Sequence, residues 1–222
     1  MKKAQDVDST LREQYPLPHR LFGLPESKRG TNEWRIRRVV ANIIVGGSRE
    51  KSALKAVEII FANFTFDDLA FSLPEGHSNR LYLLTSILEE HDIRWALKKA
   101  AYVMRTCEKL QEKFDGVVPE NREDLESLPG VGEHAASVIL ARAFGHTDEF
   151  AVDLHVKRIV KRMGLVKATA SQREVIKWGE QSVNPAHLSR SFVEFGQKIC
   201  RYHPSCKKCT FQLTCPKKKW IK

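Results

Sequence analysis

Four cysteines fall within sixteen residues near the end of the chain, as Cys200-x5-Cys206-x2-Cys209-x5-Cys215, with Arg201, Lys207 and Lys208 among them. Thiolates at this density bind metal, and the basic neighbours are expected to lower the thiol pKa values and offset the charge of a metal–thiolate centre. A four-iron, four-sulfur cluster is the preferred content. A tetrahedral zinc ion competes, although two C-x2–4-C pairs are its more usual arrangement. The fifth cysteine, Cys107, stands alone on an apolar helix face and reads as a core residue. Five cysteines so placed do not form a disulfide framework and suit a reducing, intracellular setting.

A second constellation is Leu128-Pro129-Gly130-Val131-Gly132, lying between two helical segments. Two glycines at this spacing let the backbone turn sharply and present successive amide N–H groups at the start of the following helix, which is a seat for an anion. The same five residues also suit an ordinary Pro-Gly turn between antiparallel helices. A third candidate is Asp153, immediately before a helical segment, where an aspartate is a favoured N-cap.

The 222 residues carry 37 Lys and Arg against 27 Asp and Glu, a net charge of +10, and a pI of about 9.4. Such a balance favours a polyanionic partner, nucleic acid first. From Cys200 to Lys222 there are seven Lys or Arg and no acid, which points to phosphate contact. Lys157-Arg158 and Lys161-Arg162 share one helix face, opposite Val156, Ile159-Val160 and Met163, and are expected to form a second basic stripe beside Asp153. Apolar runs such as Val39 to Val45 are far shorter than the roughly 20 residues of a membrane helix, and the first residues are polar. Neither a membrane span nor a secretory signal is expected, so the chain is placed inside the cell, in the cytoplasm or nucleoid.

These groups must be positioned by helices. Residues 1–30 form a polar arm punctuated by Pro16, Pro18, Pro25 and Gly30, with one short helix around Ser9 to Gln14. From Asn32 onward apolar residues recur every three to four: Trp34, Ile36, Val39-Val40 and Ile43-Ile44, then Ala53, Val57 and Ile60-Phe61. Further helices are predicted over Ser78–Glu89, Arg94–Phe114, Arg122–Leu128, His134–Phe144, Leu154–Met163, Ser171–Gln181 and His187–Ile199, each beside a Gly, Pro or Asn break. Alternating β-branched runs are scarce. The class is all-α.

The hairpin, followed by Ala135-Ala136, Ala143-Phe144-Gly145, Ala151-Val152-Asp153-Leu154-His155-Val156, Arg158 and the cysteines in this order, resembles the helix-hairpin-helix DNA glycosylases of the endonuclease III type. Ala41 to Ala56, Arg105-Thr106-Cys107 and Asp115 to Pro119 extend the likeness to about residues 32–215. The resemblance implies two helical domains flanking a DNA-binding cleft. One is a six-helix barrel over 32–146 with the hairpin at 128–132. The other, 147–222, carries the Asp153 helix and the [4Fe-4S] cluster, with the 1–31 arm packed on it. It further implies a monomeric base-excision-repair glycosylase that flips a damaged or mismatched base from double-stranded DNA. Leu128, Gly130, Val131 and Gly132 would grip phosphates, with a monovalent cation at the hairpin. Lys157, Lys207 and Lys208 would also contact DNA, and Cys200, Cys206, Cys209 and Cys215 would hold the cluster. Asp153 would be the catalytic carboxylate, stabilising positive charge on the deoxyribose as the glycosidic bond breaks.

Three departures from the family pattern bear on function. Members with lyase activity carry a lysine two residues after the second hairpin glycine, where this chain has His134. An imidazole forms no iminium with the sugar, so the expected nucleophile is water and the expected product an abasic site in an intact strand. His134 either contacts the sugar or base or makes local polar contacts at the helix start. The rivals are a glycosylase/lyase using another lysine and a DNA-binding protein without chemistry. At Gly46-Gly47-Ser48 family members commonly offer a glutamine that fills the gap left by the flipped nucleotide, and Gly47 has no side chain to do so. The first cysteine gap has five residues where six are usual. Uracil or thymine opposite guanine, an oxidised base, and adenine opposite oxidised guanine are all compatible with these residues.

Overall fold

The computed structural model describes residues 4–15, 26–71 and 74–216. Within them every regular element is helical, as the periodicity requires, and no helix is long and apolar enough to cross a membrane. The chain divides into two units, one of residues 20–144 and the other of residues 1–19 with 145–222.

The 20–144 unit is built from α2 (Asn32–Val45), α3 (Glu50–Asn63), α4 (Phe66–Ala70), α5 (Pro74–Glu90), α6 (Ala96–Phe114), α7 (Arg122–Glu126) and α8 (Glu133–Ile139). In α6 the buried apolar positions Ala96, Ala100, Val103, Met104, Cys107 and Leu110 recur every three to four residues, so one stripe faces the core. There it meets Ile44, Val57, Ile60, Leu84, Leu88, Leu125 and Leu128. Each such leucine or isoleucine contributes roughly 1.5–3 kcal/mol by leaving water. Asn32 ties the start of α2 to the chain after α6: its Nδ2 donates to Gly116 O at 2.7 Å, and its Oδ1 accepts from Val118 N at 3.0 Å.

The other unit holds α1 (Ala4–Gln14), α9 (Leu154–Arg162), α10 (Gln172–Gly179), α11 (Pro185–Lys198) and the cysteine loop, which contains a 3-10 turn at Cys206–Lys208. Its core joins Val7 and Leu11 of α1 to Val156, Ile159, Val160, Val175, Leu188, Phe192, Phe195 and Phe211. Phe195 meets Tyr15 and Phe211 edge-on, at centroid distances of 6.2 and 5.8 Å. Helix α1, helix α11 and the cysteine loop therefore share one aromatic contact.

The elements differ from the sequence expectation in several places. Helix α1 runs from Ala4 rather than Ser9, because Ala4, Val7 and Leu11 make a narrow apolar stripe inside a polar segment. Pro16, Pro18 and Pro25 of the expected arm lie outside the described residues, and residues 26–31 group with the 20–144 unit. Helix α4 was not expected; a Thr65/Asp68 capping box starts it, and such boxes nucleate even one turn. The Asn184-Pro185 break is the start of α11, with Asn184 accepting from His187 N and Pro185 in the first turn. The helix expected over His134–Phe144 closes at Ile139 and continues as a π-helical turn, Leu140–Phe144. There Arg35 Nε donates to Ala143 O at 3.4 Å, and its guanidinium lies 4.4 Å from the Phe144 ring centroid.

Helices α9 and α11 cross at Gly196, where a Cβ would come within 2.7 Å of His155 Nδ1 and 3.0 Å of Ile159 Cδ1. This close approach fixes the Asp153 helix against the helix that leads into the cysteines. Gly196→Val is expected to destabilise the fold by about 1–3 kcal/mol through overpacking, read from denaturant unfolding; unchanged stability would show that the two helices do not meet there.

Candidate nucleic-acid interface and catalytic residues

Helix α6 builds the hairpin from below. Leu128 and Val131 are buried in the core, and Val131 N donates to Leu128 O at 3.0 Å, closing the turn. Thr106 Oγ1 donates to Pro129 O at 2.8 Å and Lys109 Nζ to Ser127 O at 2.7 Å. Gly130 has φ +81°, and a Cβ there would sit 2.9 Å from the Tyr102 ring, so both backbone and space demand glycine. Gly132 is the N-cap of α8, brings no side-chain oxygen to its first turn, and has open space where a Cβ would project. His134, the second residue of α8, is exposed.

The loop at Gly47 belongs to the same unit. Gly47 has φ +71°, and a Cβ would lie 3.0 Å from the Trp95 ring. Lys99, buried on α6, donates to Ile44 O at 2.6 Å, Gly46 O at 2.7 Å and Ser48 Oγ at 3.1 Å. Desolvation, helped by the Arg94 charge, lowers its pKa to about 8. Neither Trp95 nor Lys99 stood out in the sequence, where the only signal is an aromatic residue amid the polar stretch between α5 and α6.

In the other unit Asp153 is the N-cap of α9, with Oδ1 accepting from Val156 N at 2.8 Å. Among the described residues no hydrogen bond to Oδ2 is formed, and Leu154 beside it is 80% exposed. The carboxylate is held by one oxygen and leaves the other available. Arg158 and Arg162, one helical turn apart on α9, do not form the expected basic stripe. Arg158 donates through Nε and Nη2 to Cys200 O at 3.1 and 2.9 Å, and through Nη2 to Gly196 O at 3.3 Å. Arg162 donates to Arg201 O and, at 3.0 Å, to Tyr202 O. Arg158 thus satisfies a carbonyl in the last turn of α11, and both cations satisfy carbonyls of the chain that follows it. Lys157 and Lys161 remain half-buried on the surface of α9.

Cys200, Cys206, Cys209 and Cys215 are free and half-buried. The Arg162 guanidinium lies 3.9 Å from Cys200 Sγ, and Cys215 Sγ donates to Arg162 O at 3.6 Å. Contrary to the sequence expectation, the thiols of Cys206 and Cys209 are pushed up, first by burial and then by the other cysteines of the set. Burial, more than the neighbouring cysteines, sets this direction against the cations around them. Among the described residues no three His, Cys, Asp or Glu side chains are gathered as one metal ion requires. Lys207 and Lys208 are exposed on the 3-10 turn, whereas Lys217, Lys218, Lys219 and Lys222 of the expected basic tail lie outside the described residues. Cys107 is fully buried and its thiol is pushed up to about 12 by desolvation, as a core residue should be. The hairpin, His134 and Gly47 thus sit in the 20–144 unit, and Asp153, Lys157, Lys207, Lys208 and the cysteines in the other.

The helix-hairpin-helix motif matches residues 113–142. Endonuclease III of Synechocystis sp. is 36% identical over 130 residues, 57% of this chain and 59% of that protein. The match spans little more than half the length of that relative and of endonuclease III from Buchnera aphidicola. Among solved structures, a non-covalent endonuclease III–DNA complex superposes with a TM-score of 0.80 at 24% identity, covering 99% of this chain and 98% of the other. A thermostable thymine-DNA glycosylase gives a TM-score of 0.74 at 16% identity over 97% and 95%.

Gly130 supplies a direct check on the hairpin. Gly130→Ala is expected to cost about 1–2 kcal/mol for the left-handed backbone and to displace Tyr102, lowering the thermal midpoint; a midpoint equal to the unsubstituted protein would contradict this turn geometry.

Proposed function

We propose that the chain is a helix-hairpin-helix protein of the endonuclease III superfamily and acts as a base-excision-repair DNA glycosylase that leaves the strand intact. The substrate is double-stranded DNA with a damaged or mismatched base. The Asp153 carboxylate carries this reading, because it is fixed through Oδ1 on Val156 N while Oδ2 stays available.

When the C1′–N bond breaks, its electron pair leaves with the base and the deoxyribose becomes cationic. A carboxylate already oriented by its cap stabilises that charge without reorganising. Its second oxygen accepts the proton of the water that attacks C1′. The amides of Gly130 and Gly132 receive phosphate, since those of Leu128 and Val131 donate to Leu125 O and Leu128 O, and a monovalent cation there would draw on the hairpin carbonyls, each of which keeps a second lone pair. Lys207, Lys208 and Lys157 add phosphate contacts.

His134 occupies the position from which a lysine would attack the sugar, and its exposed imidazole supplies no amine for a Schiff base. Lys99 does not replace it, since its ammonium is buried and spent on three acceptors. Lys157, one turn after Asp153, is the amine that a lyase reading would have to use.

The four thiols are free and lie on one loop braced from α9, and Cys200, Cys206, Cys209 and Cys215 would hold the [4Fe-4S] cluster. When bound, the cluster ties the loop together through metal–thiolate bonds. The protein's own part is the pair of arginine braces from α9.

Asp153→Asn should keep the cap, since asparagine caps as well as aspartate, yet slow base release about 10²–10³-fold by the measure of other electrostatic stabilisers. Single-turnover rates on a cleaved lesion duplex decide, and normal turnover of the variant would leave Asp153 a cap only. Borohydride should trap no protein–DNA adduct with the unsubstituted protein; efficient trapping would move the assignment to a lyase and direct attention to Lys157.

A further inference from the structure

Resting on the glycosylase reading, we propose that Trp95 fills the gap left by the extruded nucleotide and that Lys99 is its positioning residue. Trp95 is 60% exposed, whereas Trp34 and Trp178 are buried. Most of the indole surface faces solvent at the start of a helix, where it is open to a ligand. Its backbone is also in the left-handed region, φ 58° and ψ 43°, and no side chain caps α6 there. Such strain in a bulky residue persists only where the surroundings impose it.

The seat that imposes it is Gly47. The indole rests where a Cβ at position 47 would be only 3.0 Å away. A side chain at 47 would crowd Trp95 in its present place and strain the left-handed backbone there.

Lys99 fixes the geometry from beneath. Its ammonium bonds Ile44 O, Gly46 O and Ser48 Oγ and lies 5.9 Å from the Trp95 ring centroid. Ser48 Oγ also accepts from Arg94 N at 3.1 Å, and the Arg94 guanidinium lies 4.8 Å from the same ring. One buried cation thus closes the end of α2, holds the Gly47 loop and supports the indole. Two turns further along α6, Tyr102 supports Gly130 of the hairpin. Seven residues of helix rise about 10.5 Å, so one rigid helix spaces the indole from the phosphate-gripping hairpin.

An aromatic ring stacks on any base and offsets the cost of unstacking the duplex. An indole in the gap would therefore serve with little regard to the opposite base, unlike an amide that reads hydrogen-bonding edges.

The test uses a duplex with a tetrahydrofuran abasic-site analogue opposite guanine and 2-aminopurine as the neighbouring base. At saturating protein, indole stacking should quench the 2-aminopurine at least about twofold, and Trp95→Ala should bind about tenfold more weakly without quenching. Trp95→Phe should restore part of the quench. Gly47→Gln should abolish it by displacing the ring, and Lys99→Met should reduce its amplitude at saturation. Should Lys99→Met fail to fold, Ser48→Ala removes the acceptor shared by Lys99 and Arg94 and should reduce the amplitude in the same way. Quenching by Trp95→Ala equal to that of the unsubstituted protein would overturn the role of Trp95. Full amplitude in the Lys99 or Ser48 variant would overturn the positioning role. An unsubstituted protein that does not prefer the abasic duplex over undamaged DNA would instead overturn the glycosylase reading.

Discussion

Cationic side chains, one of them buried and three half-buried, donate to backbone carbonyls and hold the hairpin, the Gly47 loop and the start of the cysteine loop. Lys99 closes Ile44 and Gly46, Lys109 closes Ser127, Arg158 closes Gly196 and Cys200, and Arg162 closes Arg201 and Tyr202. The carbonyls at helix ends lack intrahelical donors, and a charged donor at such a site is worth about 1.5–3 kcal/mol. The device recurs in both units. In one, α6 braces the hairpin and the Gly47 loop; in the other, α9 braces the cysteines. These loops are thereby tied into the helical scaffold.

That arrangement divides the basic residues into two kinds. Lys207 and Lys208 are exposed and free to meet phosphate, while Arg158, Arg162 and Lys99 are consumed internally. Net charge alone does not distinguish them. Asp153 shows a similar double use, since the hydrogen bond that starts α9 also aims the carboxylate.

What was legible in the sequence is local. Hydrophobic periodicity marks the long helices, Leu128-Pro129-Gly130-Val131-Gly132 the hairpin, Asp153 the cap, and the cysteine spacing its loop, because each is set by residues within a few turns. What was not legible depends on residues far apart in the chain. Arg158 and Arg162 look like a surface stripe until α11 is placed against them 38 to 42 residues later. The upward shift of the Cys206 and Cys209 thiols follows first from burial, not from neighbouring lysines. Trp95 gains meaning only once Gly47 lies under it, and the π-helical turn at Leu140–Phe144 only once Arg35 reaches Ala143.

The central claim is that this fold removes a base by water attack aided by Asp153, with no amine acting at the position of His134. The most direct measurement is the mass of the DNA strand after a single turnover, across a panel of duplexes that each carry one lesion. The account predicts, for at least one lesion, a full-length strand that has exchanged its base for a hydroxyl, together with the free base. Strands shortened by elimination before any alkali is added, or no released base on any duplex of the panel, would contradict it.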